Sequence, residues 1–147
     1  MSAIRARERR VEWDLERMRK REEELARSVK SMGSAVNELV TSVKAGIWLD
    51  DYTRSAIDKQ IWRLHWNTWV LSKLLNDYGY EEARHAQKLA EKIMDLAVEL
   101  YKNIRARDRF TDEDEKLVHD IGVAYDMLLS VLDEIPFHYI SRRDLYL

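Results

Sequence analysis

Glu82-Ala-Arg-His85 sets a carboxylate and an imidazole three residues apart. On a helix this spacing puts both on one face, where they can share a divalent metal. A metal centre inside a bundle needs further carboxylates from facing helices. Residues 52–76 contain no Glu and only Asp58, and Glu115 and His119 stand four apart rather than three. Glu82 also falls in the first turn of its helix, near a bundle end. The competing reading is a capping acid at Glu82 and a boundary histidine at His85. These two are the only metal candidates, and no cofactor is expected. Of the four histidines, His65, His85, His119 and His138, no two share a helix at ligand spacing. Without a glycine-rich phosphate loop, nucleophile elbow or Cys/His cluster, nothing in the chain asks for an enzyme or a small-molecule substrate.

A different chemistry occupies the first thirty residues. Arg10, Trp13, Arg17, Lys20, Glu24 and Arg27 step by three and four, forming one stripe along a helix. Four cations interleaved with an aromatic suit a phosphate backbone, because the arginine fork can hold two oxygens at once. Arg5, Arg9 and Lys30 join them as nucleic-acid-binding candidates. The alternative is a solvated face laced with pairs to Glu12, Glu16, Glu22 and Glu23. Residues 1–31 hold ten Lys/Arg against seven Asp/Glu, whereas the remainder holds fifteen against twenty. A basic arm on an acidic body calls for an anionic partner.

The elements that must position these residues are helical. The 147 residues are 46% apolar with one Pro and four Gly, which is an all-α composition with one core. No apolar run reaches the roughly 20 residues of a membrane span, and no signal-peptide core opens the chain. The absence of Cys rules out disulfides and fits an intracellular setting. Residues 4–32 read as one helix in which Ile4, Val11, Met18, Leu25 and Met32 recur every seventh position. A flanking row of Glu8, Leu15, Glu22 and Val29 is apolar only at alternate steps. This half-filled seam is too weak for a stable dimer by itself, so Ile4, Val11, Leu15, Met18, Leu25 and Val29 are expected to lie against other subunits.

Gly33-Ser34 is the expected boundary between a basic helical arm, 1–33, and a four-helix bundle, 34–147. Ser34 would cap a helix over about 35–49 that carries Val36, Leu39, Val40, Val43 and Ile47 inward. The heptad phase survives Gly33, so the arm is either one helix, kinked there and reaching about 49, or a helix–turn–helix. Asp50-Asp51 and Thr53 start the next helix, which runs to about 77 with Ile57, Ile61, Leu64, Thr68, Leu71 and Leu75 facing the core. Gly79 reads as a left-handed C-cap. A helix over about 81–108 follows, then another that opens with a capping box at Thr111 and Asp114 and stops at Pro136. The short aromatic tail after it should dock on a neighbouring surface.

Trp62, Trp66 and Trp69 form a second stripe on the 50–77 helix. Spacing of this kind serves core-edge packing or a contact between proteins. The main stripe already supplies the core, so the tryptophans have burial demand to spare, and a neighbouring subunit can meet it.

Glu82-Ala-Arg-His85, followed by AQKLAEKI, resembles the ferritin-like half-site, and His65-Trp66-Asn67 is similar to the HWN of Dps-like members of that superfamily. That likeness implies a metal-binding bundle. The arm over 4–48, with its Arg10/Trp13/Arg17/Lys20/Arg27 stripe, the Gly33 break and the bundle beyond, resembles in size and layout the major coat proteins of filamentous and rod-shaped archaeal DNA viruses. This second resemblance covers the whole chain. It implies arms that wrap duplex DNA without reading bases, bundles that form a shell with copies of the chain or a paralogous subunit, and a place in the virion. Failing that, the chain would be a cytoplasmic helical protein whose arm binds a protein partner.

Overall fold

In the computed structural model, which describes residues 3–146, the first helix (α1) runs without interruption from Ala3 to Ser42. It is followed by α2, Asp51–Leu75, α3, Glu81–Arg105, α4, Asp112–Leu132, and a single turn, α5, Arg142–Leu145. The fold is all-α. Short connections turn the chain back at each end, so α1 packs on α2, α2 on α3 and α3 on α4, while α4 closes against α1.

The helix does not break at Gly33. A glycine inside a helix costs about 1 kcal/mol relative to alanine. Here that cost is outweighed by the inner face on either side, where Leu25, Val29, Met32, Val36 and Leu39 are all buried. Gly33 itself is buried on this face. Ser34 is not a cap: its hydroxyl accepts from Arg63 of α2 at 3.2 Å, and Ser31 accepts from Arg63 at 2.9 Å and from Asn67 at 3.0 Å. These bonds lace α1 to α2. Val40 and Ile47, expected inside, are exposed, since α1 ends at Ser42 and Ile47 sits in the following loop.

Burial along α1 starts at Glu22, so the second half of this helix is the first helix of the bundle. Residues 3–20 are exposed throughout, and toward their end Asp14, Arg17 and Met18 border an open groove shared with Tyr78, Pro136 and His138. The same seven-residue row that leaves Ile4, Val11 and Met18 in solvent carries Leu25 and Met32 into the core.

The core stripe of α2 is as the spacing predicts, and Thr68 occupies its remaining step with its hydroxyl donating to the Leu64 carbonyl at 2.6 Å. Asp50 caps α2 by accepting from the Thr53 N–H at 2.7 Å, which holds the Asp50 carboxyl below its usual range. The capping box of α4 is present: Asp114 accepts from the Thr111 N–H at 2.9 Å and donates its own N–H to the Thr111 hydroxyl at 3.3 Å. Asp114 is buried and Arg107 pairs with it at 3.3 Å.

Gly79 does not adopt the left-handed conformation. α2 ends at Asn76 with ordinary right-handed geometry, and the carbonyls of Leu75 and Tyr78 are taken by Arg84 at 2.5 and 2.7 Å. The left-handed residue is Gly46, φ 87°, in the α1–α2 loop. Helix α3 stops at Arg105, and α4 stops at Leu132, ahead of Pro136, which disfavours helical geometry at the residue before it.

At the bundle end away from the arm, the α1–α2 and α3–α4 loops pair through their backbones. Gly46 donates to Phe110, Phe110 to Ile47, and Leu49 to Asp108, at 2.7–3.0 Å. At the other end the C-terminal tail folds onto the chain's own α1. The buried Glu22 carboxylate accepts from the N–H groups of His138 at 3.2 Å and Tyr139 at 2.8 Å. Phe137 packs edge-on against Tyr78, and Leu145 is buried. The tail expected on a neighbour is thus held within the molecule, because Glu22 provides the acceptor that its unpaired N–H groups need.

Candidate nucleic-acid interface

The arm is a bare helix of 18 residues, about 27 Å long. Arg5, Arg9, Arg10, Arg17 and Lys20 all lie on it and are exposed, while Arg27 and Lys30 continue outward-facing over the bundle. Trp13 is 61% exposed, and the Arg17 guanidinium lies 5.4 Å from its ring centre. Stacking of this kind engages the face of the guanidinium and leaves its edge donors free.

The lacing of arm charges by intrahelical pairs is largely unrealised. Arg19 pairs with Glu16, which holds the Glu16 carboxyl below its usual range. Arg21 pairs with Asp77 of the α2–α3 loop and anchors the root of the arm. Among the described residues, Arg10, Arg17, Lys20 and Arg27 have no carboxylate within ion-pair distance. Glu22, grouped by sequence with the acids of this face, is instead turned into the core, where it holds the tail.

The interface residues expected from the heptad row divide in two. Ile4, Val11, Leu15 and Met18 are exposed on the arm, as a surface for another molecule must be. Leu25 and Val29 are fully buried in the chain's own core and have no surface left for a neighbour. The difference lies in where the bundle begins, since the residue types are the same.

Trp62, Trp66 and Trp69 face solvent on α2 at 58, 61 and 44% exposure. Trp66 stacks on Trp69 with ring centres 5.3 Å apart, and Lys73 covers the far side of Trp69 at 5.4 Å. Trp62 meets Tyr101 of α3 and His65 edge-on, both at 6.0 Å. The three rings therefore lie in two exposed aromatic groups on α2, Trp66 with Trp69 and Trp62 with His65 and Tyr101 at the edge of α3. Core-edge packing takes up only part of them.

Glu82 is half-buried and His85 exposed in the first two turns of α3. Neither converges with other ligands, and no group of three or more His, Asp or Glu that could hold a metal occurs among the described residues. Asn67 of the HWN segment spends its amide on Ser31 and on the Arg63 carbonyl. Among the described residues no helix is long and apolar enough to cross a membrane. Comparisons with family models, with curated proteins and with solved structures find no match.

Proposed function

We propose that the protein packages nucleic acid: its arm lies along duplex DNA through phosphate contacts, and its bundles assemble around the covered duplex as a coat. The observation that carries this reading is the arm itself. It is a protruding helix whose Arg10, Arg17 and Lys20 have no carboxylate within ion-pair distance among the described residues, continued by Arg27 at the bundle. Cations set one to two turns apart along one face suit neutralisation of several phosphates along the backbone, with no base-edge readout. The exposed seam of Ile4, Val11, Leu15 and Met18 would then join arms to one another, and the tryptophan surface would join bundles.

Four neutralised phosphates correspond to a slope of about −3.6 in log affinity against log salt. The expected result is that the full chain binds duplex DNA with a slope of this size and with no sequence preference. Arg10→Gln/Arg17→Gln should reduce the slope by about 2. Absence of DNA binding at low salt and high protein concentration would overturn the reading.

The apolar row on the arm favours a second reading, in which the arm binds a protein partner. Val11→Ser/Leu15→Ser separates the two. If the partner is a protein, this variant loses its complex while the arginine variant keeps it.

A further inference from the structure

We propose that the bundle end opposite the arm is a binding site for a dianionic phosphate group, as in pyrophosphate or a phosphomonoester, held by Arg105 and Arg109 in the positive field of Arg54. The paired α1–α2 and α3–α4 loops leave an open pocket of about 700 Å³ here. Four arginines line it, Arg54, Arg105, Arg107 and Arg109, against one carboxylate, Asp108.

The four are not equivalent. Arg107 is committed internally: it donates to the Thr111 hydroxyl at 2.8 Å and pairs with buried Asp114 and with Glu113. Among the described residues the other three have no carboxylate within ion-pair distance. Arg54 spends one nitrogen on the carbonyls of Leu49 and Arg107, and its Nε is buried with no acceptor. Its guanidinium is fixed in place, with no carboxylate within ion-pair distance among the described residues. Arg109 lies over the Trp48 ring at 3.9 Å, and Arg105 lies 4.8 Å from the Tyr101 ring centre while donating to its hydroxyl. Both are exposed, and in both the aromatic contact restrains the guanidinium while leaving donors unused.

Three such guanidinium groups against Asp108 leave two positive charges. That balance suits a dianion better than a carboxylate or a single phosphodiester. Planar forks restrained by aromatic contact are also the arrangement that gives bidentate phosphate contacts at least ordering cost. The site is independent of the DNA reading, because it lies at the other end of the bundle from the arm and shares no residue with it.

The two basic regions carry their own reporters among the five tryptophans, Trp48 under Arg109 and Trp13 under Arg17. The test is a titration of the full-length chain with pyrophosphate at constant ionic strength, following the indole N–H resonances by NMR. The expected result is a saturable shift at Trp48 with Trp13 unmoved. Arg105→Gln and Arg109→Lys should each weaken binding by about tenfold, the second because it keeps the charge and loses the fork. Displacement of pyrophosphate by a 5′-phosphorylated oligonucleotide, but not by its unphosphorylated counterpart, would assign the ligand to a nucleic-acid end. Displacement only by a small phosphomonoester would assign a small molecule. No saturation at millimolar pyrophosphate, an equal shift at Trp13, or undiminished binding by both variants would each overturn the proposal. Loss of DNA binding by the arm would leave it standing.

Discussion

Tyr125 and Glu22 show how single buried polar groups hold distant parts of this bundle together. The Tyr125 hydroxyl donates to the Val29 carbonyl at 2.8 Å, joining α4 to α1 across the core. Burial raises its pKa. Tyr78, next to Glu22, is pushed up to about 12, first by burial and then by the Glu22 charge. In both cases the folded state favours the protonated phenol. Their contribution to stability is therefore complete below the unfolded tyrosine value of about 10 and drains away as pH rises from there through about 12. The denaturant midpoint of the wild type should accordingly fall as pH rises from about 10 to about 12, and Tyr78→Phe/Tyr125→Phe should flatten that fall. At neutral pH Tyr125→Phe should cost about 1 kcal/mol through the lost hydrogen bond. An equal alkaline loss in wild type and double variant would assign the effect to other groups.

Among the elements, α1 divides into two regimes without any change in backbone. Residues 3–20 are exposed throughout, whereas 25–39 are buried on their inner face. A helix without a packed face lacks the tertiary contacts that supply most helical stability in proteins. Amide exchange should therefore be fast over 3–20 and slow over 25–39, with the step near Glu22. Addition of duplex DNA should slow the first group if the arm binds it, and uniform protection along α1 in the free protein would contradict the division. The step was not legible in the sequence. Ile4, Val11, Leu25 and Val29 are interchangeable as heptad residues, and only the tertiary position of the bundle end separates them. The Gly33 boundary failed for a related reason, since a local glycine cost competes with burial supplied by helices far away in the chain. What was legible was local. The Thr111/Asp114 box lies within one turn, and the inner stripe Ile57–Leu75 follows from spacing alone. For the site, the arm stripe and the tryptophan face could be read from periodicity. The Arg105–Arg109 run was visible as helix-end charge, but its meeting with Arg54 and Trp48 comes from loop pairing that no short-range pattern encodes. Glu22 was equally hidden, because its partners are backbone N–H groups 116 and 117 residues away.

For the whole molecule, the outward aromatic surface of α2 lies outside the core. The inner stripe of α2 is satisfied within the chain, and Trp66 and Trp69 rest mainly on each other and on Lys73. Trp66→Ala should weaken self-association, measured by sedimentation, while lowering the unfolding midpoint little. A variant that unfolds outright while its folded fraction assembles normally would instead make the ring a folding residue. The unbroken passage of α1 through Gly33 also has a mechanical consequence. A 40-residue helix is a rod of about 60 Å, with one half clamped in the bundle and the other free. Arg21 and Glu22 tie its midpoint to Asp77 and to the tail. A rod clamped along half its length transmits torque. Whatever grips the arm therefore sets the heading of the bundle, and a row of arms laid side by side at one angle would turn every bundle by the same amount.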